Sequence, residues 1–82
     1  MKLPVIRQFY QNQSPENLEA TLEVLESFSE FRGVSEEDLN VVGEMITNIC
    51  GALEVHANVA NGMTEKDALN SFAQKVMGSI DR

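Results

Sequence analysis

Apolar residues recur with helical spacing along residues 36–60 and occupy more of the helix circumference than a surface helix needs. Four heptad-spaced rows lie side by side and cover roughly 200°, about twice the minimum apolar stripe of a one-sided amphipathic helix. Such a helix is either the centre of a bundle or a dimerisation element. The rows are Leu39/Ile46/Leu53/Ala60, Val42/Ile49/His56, Gly43/Cys50/Ala57 and Met45/Ala52/Val59.

Similar periodicity on both sides of this segment predicts a single all-α domain over residues 1–82, an antiparallel bundle with very short connections. Ser14, Ser35 and Thr64 are the expected N-caps, since each precedes a helical pattern and carries a hydroxyl that can accept a first-turn N–H. A short helix or an extended arm is expected before the bundle. The predicted bounds are about 15–32, 35–61 and 64–79 for the long helices and about 4–11 for the N-terminal segment.

The flanking helices have inward faces of their own. In the helix before the central one, Leu18, Leu22, Leu25 and Phe28 form this face, with Val24 and Phe31 expected to widen it. In the last helix the apolar positions are Ala68, Leu69, Phe72, Ala73, Val76, Met77 and Ile80.

The central helix is long for its domain. Twenty-five residues span roughly 37 Å as a helix, whereas a compact chain of this length has a diameter of roughly 30 Å. Neither of its two shorter neighbours can cover its apolar arc alone, and a second copy of the chain is the simplest cover, so we expect a two-fold homodimer. The expected interface residues are Gly43, Ile46, Cys50, Leu53 and Ala57.

The net charge of −7 lies entirely within residues 16–38, which hold eight acids and one base. Such a surface repels phosphate backbones, so nucleic-acid binding is not expected. No run of 18 apolar residues is present, which argues against a membrane span. The single cysteine suits a reducing compartment, so a cytoplasmic location is expected.

Five glutamates fall along one side of the helix that begins after Ser14. They form either a solvated face or a docking surface for a basic protein partner. We call this set the acidic face; it consists of Glu16, Glu19, Glu23, Glu26 and Glu30.

His56 and Cys50 are the residues with potential for chemistry, and both have a simpler structural interpretation. His56 is expected to be a buried histidine bonded to Tyr10 or a backbone carbonyl, the alternative being a base or metal ligand. Cys50 is expected to be a small buried side chain, the alternative being a redox thiol. No metal-ligand spacing is present, since residue 53 is leucine where a Glu-x-x-His motif needs glutamate. No metal or cofactor is therefore expected.

Several blocks of the chain resemble a family of short, all-helical bacterial proteins, found mainly in the Bacteroidota, with no assigned activity. The resemblance also implies a link to thioredoxin and peroxiredoxin genes, which makes a thiol-redox role of Cys50 with His56 the alternative function. The leading interpretation is a non-enzymatic homodimeric interaction module that presents the acidic face. The blocks are MKLPVI at 1–6, GEMITNICGALEV at 43–55, ALNSF at 68–72 and VMGSID at 76–81.

Overall fold

A computed structural model describes the backbone of residues 1–80 and the side chains of residues 1–77. Its secondary structure is entirely helical over the described backbone, which confirms the all-α prediction. The N-terminal segment is a helix and not an extended arm. The predicted inward position Ile80 has a side chain outside the described residues. The helices are α1 (Leu3–Asn12), α2 (Pro15–Ser29), α3 (Glu36–Ala60) and α4 (Glu65–Ile80).

The three predicted N-caps are confirmed by their hydrogen bonds. The hydroxyls of Ser14, Ser35 and Thr64 each accept the backbone N–H three residues further on, at 3.1 Å. These bonds satisfy donors that the first helical turn otherwise leaves unpaired. After α3 the chain reverses at Gly62, whose φ of 108° lies in the left-handed region that glycine adopts without strain.

Helix α3 is the central element, because α1, α2 and α4 all pack against it. Helices α1 and α4 also contact each other. The core forms where these helices meet, and partly buried residues such as Leu22, Leu25 and Leu53 surround it. The buried core residues are Ile6, Leu18, Ile49, Ala52, Val55, Ala68, Leu69 and Phe72.

The outer edge of α2 differs from the prediction in two ways. The helix ends at Ser29 instead of continuing to residue 32. Val24 and Phe31 do not widen the inward face, since 67% and 68% of their surfaces are exposed, and Phe28 is 43% exposed. The inward direction is set by Leu18, and Val24 lies well over 90° around the helix from it.

The molecule is flat and extended for its length. Its principal Cα extents are 42 × 33 × 17 Å and its radius of gyration is 13.4 Å, against about 12 Å for a compact chain of this size. The accessible surface is 5765 Å², whereas a compact monomer of this mass exposes about 4,900 Å². The excess of accessible surface over that of a compact monomer is therefore about as large as the area that one partner contributes to a standard protein interface.

Candidate interaction surfaces

The ring of His56 is held by α1. Its Nε2 lies 3.0 Å from the carbonyl oxygen of Gln13, and its ring centre is 4.5 Å from that of Tyr10, at an interplanar angle of 51°. Because a carbonyl oxygen only accepts, Nε2 carries the proton of this hydrogen bond. The backbone-carbonyl partner is confirmed, whereas the expected burial is only partial, since His56 is half-buried. This histidine ties the end of α1 to α3.

Cys50 is exposed in the single chain, so the burial expected of its side chain is not found there. On the neighbouring arc of α3, Val42 and Ile49 are buried, whereas Cys50 is exposed. Partial burial, and then the nearby Glu26 carboxylate, raise the pKa of the Cys50 thiol. A raised pKa keeps the thiol protonated near neutral pH and lowers its nucleophilicity.

The structure does not make Cys50 and His56 a catalytic pair. Their six-residue separation places them about 120° apart around α3, and the ring nitrogen of His56 is bonded to Gln13. Among the described residues, no three His, Cys, Asp or Glu side chains converge as metal ligands would. The described helices also include none long and apolar enough to cross a bilayer.

One face of α3 is largely uncovered by the part of the chain that the structure describes. Gly43, Cys50 and Ala57 are exposed along it, and Ile46 and Leu53 are half-buried. A Cβ built on Gly43 would meet nothing within 4 Å. These five residues are the predicted dimer interface, and we call them the α3 seam. Gly43, Cys50 and Ala57 thus form an open strip, with Ile46 and Leu53 along its inner edge, where Leu53 packs against the core.

The acidic face lies beside this seam. All five of its glutamates are exposed, and Glu26 is close enough to the seam to act on the thiol of Cys50. Within the described part of the chain, the ion pairs join other residues, namely Lys75 with Glu54 and the amino group of Met1 with Glu44. Neither of these ion pairs of the described residues involves the acidic face.

Asn48 is a structural residue that the sequence did not single out. It is only 4% exposed, and its Oδ1 accepts the backbone N–H of Lys2 at 3.0 Å, so it holds the first turn of α1. Next to it, the amino group of Met1 bonds the Glu44 carboxylate at 2.8 Å and lowers the pKa of that group. The sequence signal for Asn48 was its position as a polar residue inside the apolar stretch of α3.

A groove lies on the other side of α2 and was also not predicted. Its volume is about 260 Å³, and it is open to solvent. Residues from three helices line it, which single-helix periodicity cannot reveal. They are Phe9, Gln13, Asn17, Leu18, Thr21, Met45 and Ile49.

The fold and these surfaces define a small all-helical protein whose exposed features are an open helix face, a row of carboxylates and a shallow apolar groove. Residues 1–81 match the family of unknown function DUF6952, and the chain belongs to that family. The resemblance noted in the sequence is thereby confirmed at the level of a family without an assigned function. No curated protein and no solved structure matches the chain.

Proposed function

We propose that this protein is a non-enzymatic homodimeric interaction module, in which the α3 seam joins two chains and the acidic face binds a basic protein surface. The observation that carries the proposal is the open strip on α3. A reducing cytoplasm suits its lone exposed thiol. The proposal adopts the antiparallel bundle expected from the short connections, with α3 shared between its own chain and a partner.

The area of exposed surface supports a second copy on the seam. The excess over a compact monomer is about 900 Å², close to the roughly 800 Å² that each partner buries in a standard interface. The small side chains at Gly43 and Ala57 would permit a close helix crossing. None of the five seam residues carries a charge of its own.

Sedimentation equilibrium at micromolar concentration tests the dimer. We expect a species of twice the 9.1 kDa chain mass. Gly43→Glu should shift it to the monomer by placing a charge in the seam, whereas Asn40→Glu, an exposed change on the same helix, should not. A wild-type protein that stays at the chain mass over this range would refute the dimer.

The acidic face suits a basic partner because its carboxylates are exposed and α2 itself contains no lysine to offset them. Clusters of one sign raise association rates and restrict partner choice more than they add affinity. Reversal of Glu19, Glu23 and Glu26 to lysine should abolish capture of the partner. A matched triple reversal of Glu36, Glu65 and Asp67, which lie outside the acidic face, should retain it. Capture that survives the first triple would contradict this role.

The competing function is thiol-redox chemistry by Cys50 with His56. Its support is the exposure of Cys50. The raised pKa of the thiol and the engagement of His56 by Gln13 argue against it. The alkylation experiment described in the Discussion separates the two functions.

A further inference from the structure

We propose that the groove between α2 and α3 binds a cationic amphipathic helix of another protein, with the apolar side of that helix in the groove. This site is separate from the proposed function. Thr21 lies in the groove wall, about 180° around α2 from the centre of the acidic face. The α3 seam lies on a different arc of α3 from the groove residue Met45.

The lining of the groove favours a peptide over a small molecule. At about 260 Å³ it is smaller than the roughly 300–1,000 Å³ of typical ligand pockets, and it is open. Leu18 and Ile49 are buried at its base, and Met45 is 39% exposed in its wall. Methionine adapts its shape to different apolar partners. The groove therefore suits apolar side chains projecting from a partner.

The apolar surface continues beyond the groove along two of the three helices that line it. On α2, Val24 and Phe28 follow Thr21 after three and seven residues, and they are 67% and 43% exposed. On α3, Val41 lies one turn before Met45 and is 61% exposed. Isolated exposed apolar residues are common, but an extended patch beside a groove marks a binding surface. Anchors at helical spacing in such a groove are the recognition mode of an amphipathic helix.

The charge around the groove decides the kind of partner. No carboxylate lines it. Glu37 and Asp38, however, both lie about one turn before Val41 and about two turns before Met45 on α3. Arg32 is the one cation within residues 16–38. An occupant with lysines beside its apolar stripe would place them against these carboxylates. A second copy of this chain would bring a further −7 to the same place, and an anionic membrane would be repelled.

The test is a titration of the ¹⁵N-labelled full chain with a synthetic helical peptide made of leucine and lysine, its leucines spaced along one side. We expect shifts of the backbone amides around Thr21, Val41 and Met45. Met45→Glu should weaken binding about tenfold or more, a loss of about 1.4 kcal/mol. Met63→Glu is the matched control, since Met63 is exposed to a similar degree, 42% against 39%, but lies in the turn after α3.

Several outcomes would overturn the proposal. The first is equal binding of a scrambled peptide of the same composition. The second is a set of amide shifts confined to the acidic face. The third is the same set of amide shifts when the protein is concentrated without peptide, which would mean self-association. If Met45→Glu does not fold, as judged by thermal melting, Val41→Glu replaces it. Failure here leaves the dimer and the acidic face untouched, because those are tested by variants of Gly43 and of Glu19, Glu23 and Glu26.

Discussion

Two glycines of α3 occupy opposite environments. A Cβ on Gly51 would lie 2.8 Å from Ile6 Cδ1 and from Phe72 Cε2, whereas a Cβ on Gly43 meets nothing within 4 Å. Alanine raises helix propensity equally at both sites, so the pair isolates the packing. Gly51→Ala should lower the free energy of unfolding by about 1–3 kcal/mol through overpacking. Gly43→Ala should raise it by about 0.5–1 kcal/mol in the monomer.

Urea denaturation at a concentration below self-association measures both effects. A neutral result for Gly51→Ala would mean that Ile6 and Phe72 move aside without cost, and that the junction of α1, α3 and α4 is looser than its contacts indicate.

The thiol of Cys50 should be slow to react. Burial and Glu26 both disfavour the thiolate and raise the pKa of Cys50, so the alkylation rate at pH 7 should fall below that of a free cysteine and rise only at higher pH. Glu26→Gln should move the alkylation profile towards lower pH by removing the like charge. Glu19→Gln on the same helix should leave it unchanged. Fast alkylation at neutral pH would favour the redox alternative instead.

The sequence predicts individual residues well where the cause is local. The caps at Ser14, Ser35 and Thr64 depend on the chain within three residues, and all three form. Val24 and Phe31 were assigned to the inward face because they are apolar, yet they are exposed. Which side of a helix meets its neighbour is decided by packing between helices, which a single-helix pattern does not specify.

Among the four helices, α2 should be the least stable against local unfolding. It packs against α3, whereas α1 and α4 also support each other, and its only buried residue is Leu18. Its amides should exchange with solvent before those of α3, because few apolar contacts resist local opening. Hydrogen exchange resolved by residue measures this order.

Leu18→Ala should accelerate exchange throughout α2, since truncation of a buried leucine costs about 2–5 kcal/mol. Leu22→Ala is a milder comparison, because Leu22 is only partly buried. Equal protection of α2 and α3 in the wild type would show that α2 opens only with the whole domain.

The four elements were largely predictable, and their assembly was less so. Caps and periodicity located each helix to within a few residues. The tether of α1 through Asn48 and the groove between α2 and α3 each combine residues distant in the chain. No local pattern encodes such combinations. The excess of apolar rows on α3, by contrast, did indicate that part of this helix is left uncovered by its own chain.

At the scale of the whole molecule, salt should act in opposite directions on the two proposed assemblies. Glu26 lies beside the α3 seam, so two chains meeting there bring like charges together, and screening should strengthen the dimer. The same screening should weaken binding of the leucine–lysine peptide, where opposite charges meet. Sedimentation and titration at about 0.05 and about 0.5 M NaCl, roughly a third and three times the physiological ionic strength, measure this.

Glu26→Gln should reduce the salt response of the dimer, and Glu65→Gln, on α4, should not. If the dimer weakens with salt, the seam is held by opposite charges and not by the apolar strip.

The position of α1 against the far half of α3 has a consequence for biosynthesis. Its backbone is held by Asn48, and its Ile6 shares the core with Phe72, so its binding site is incomplete until α4 has been made. Closing such a long loop is also slower than closing a local one. On the ribosome, α1 must therefore wait on the order of several seconds at usual elongation rates, while α2 and α3, which adjoin in the chain, can already pair.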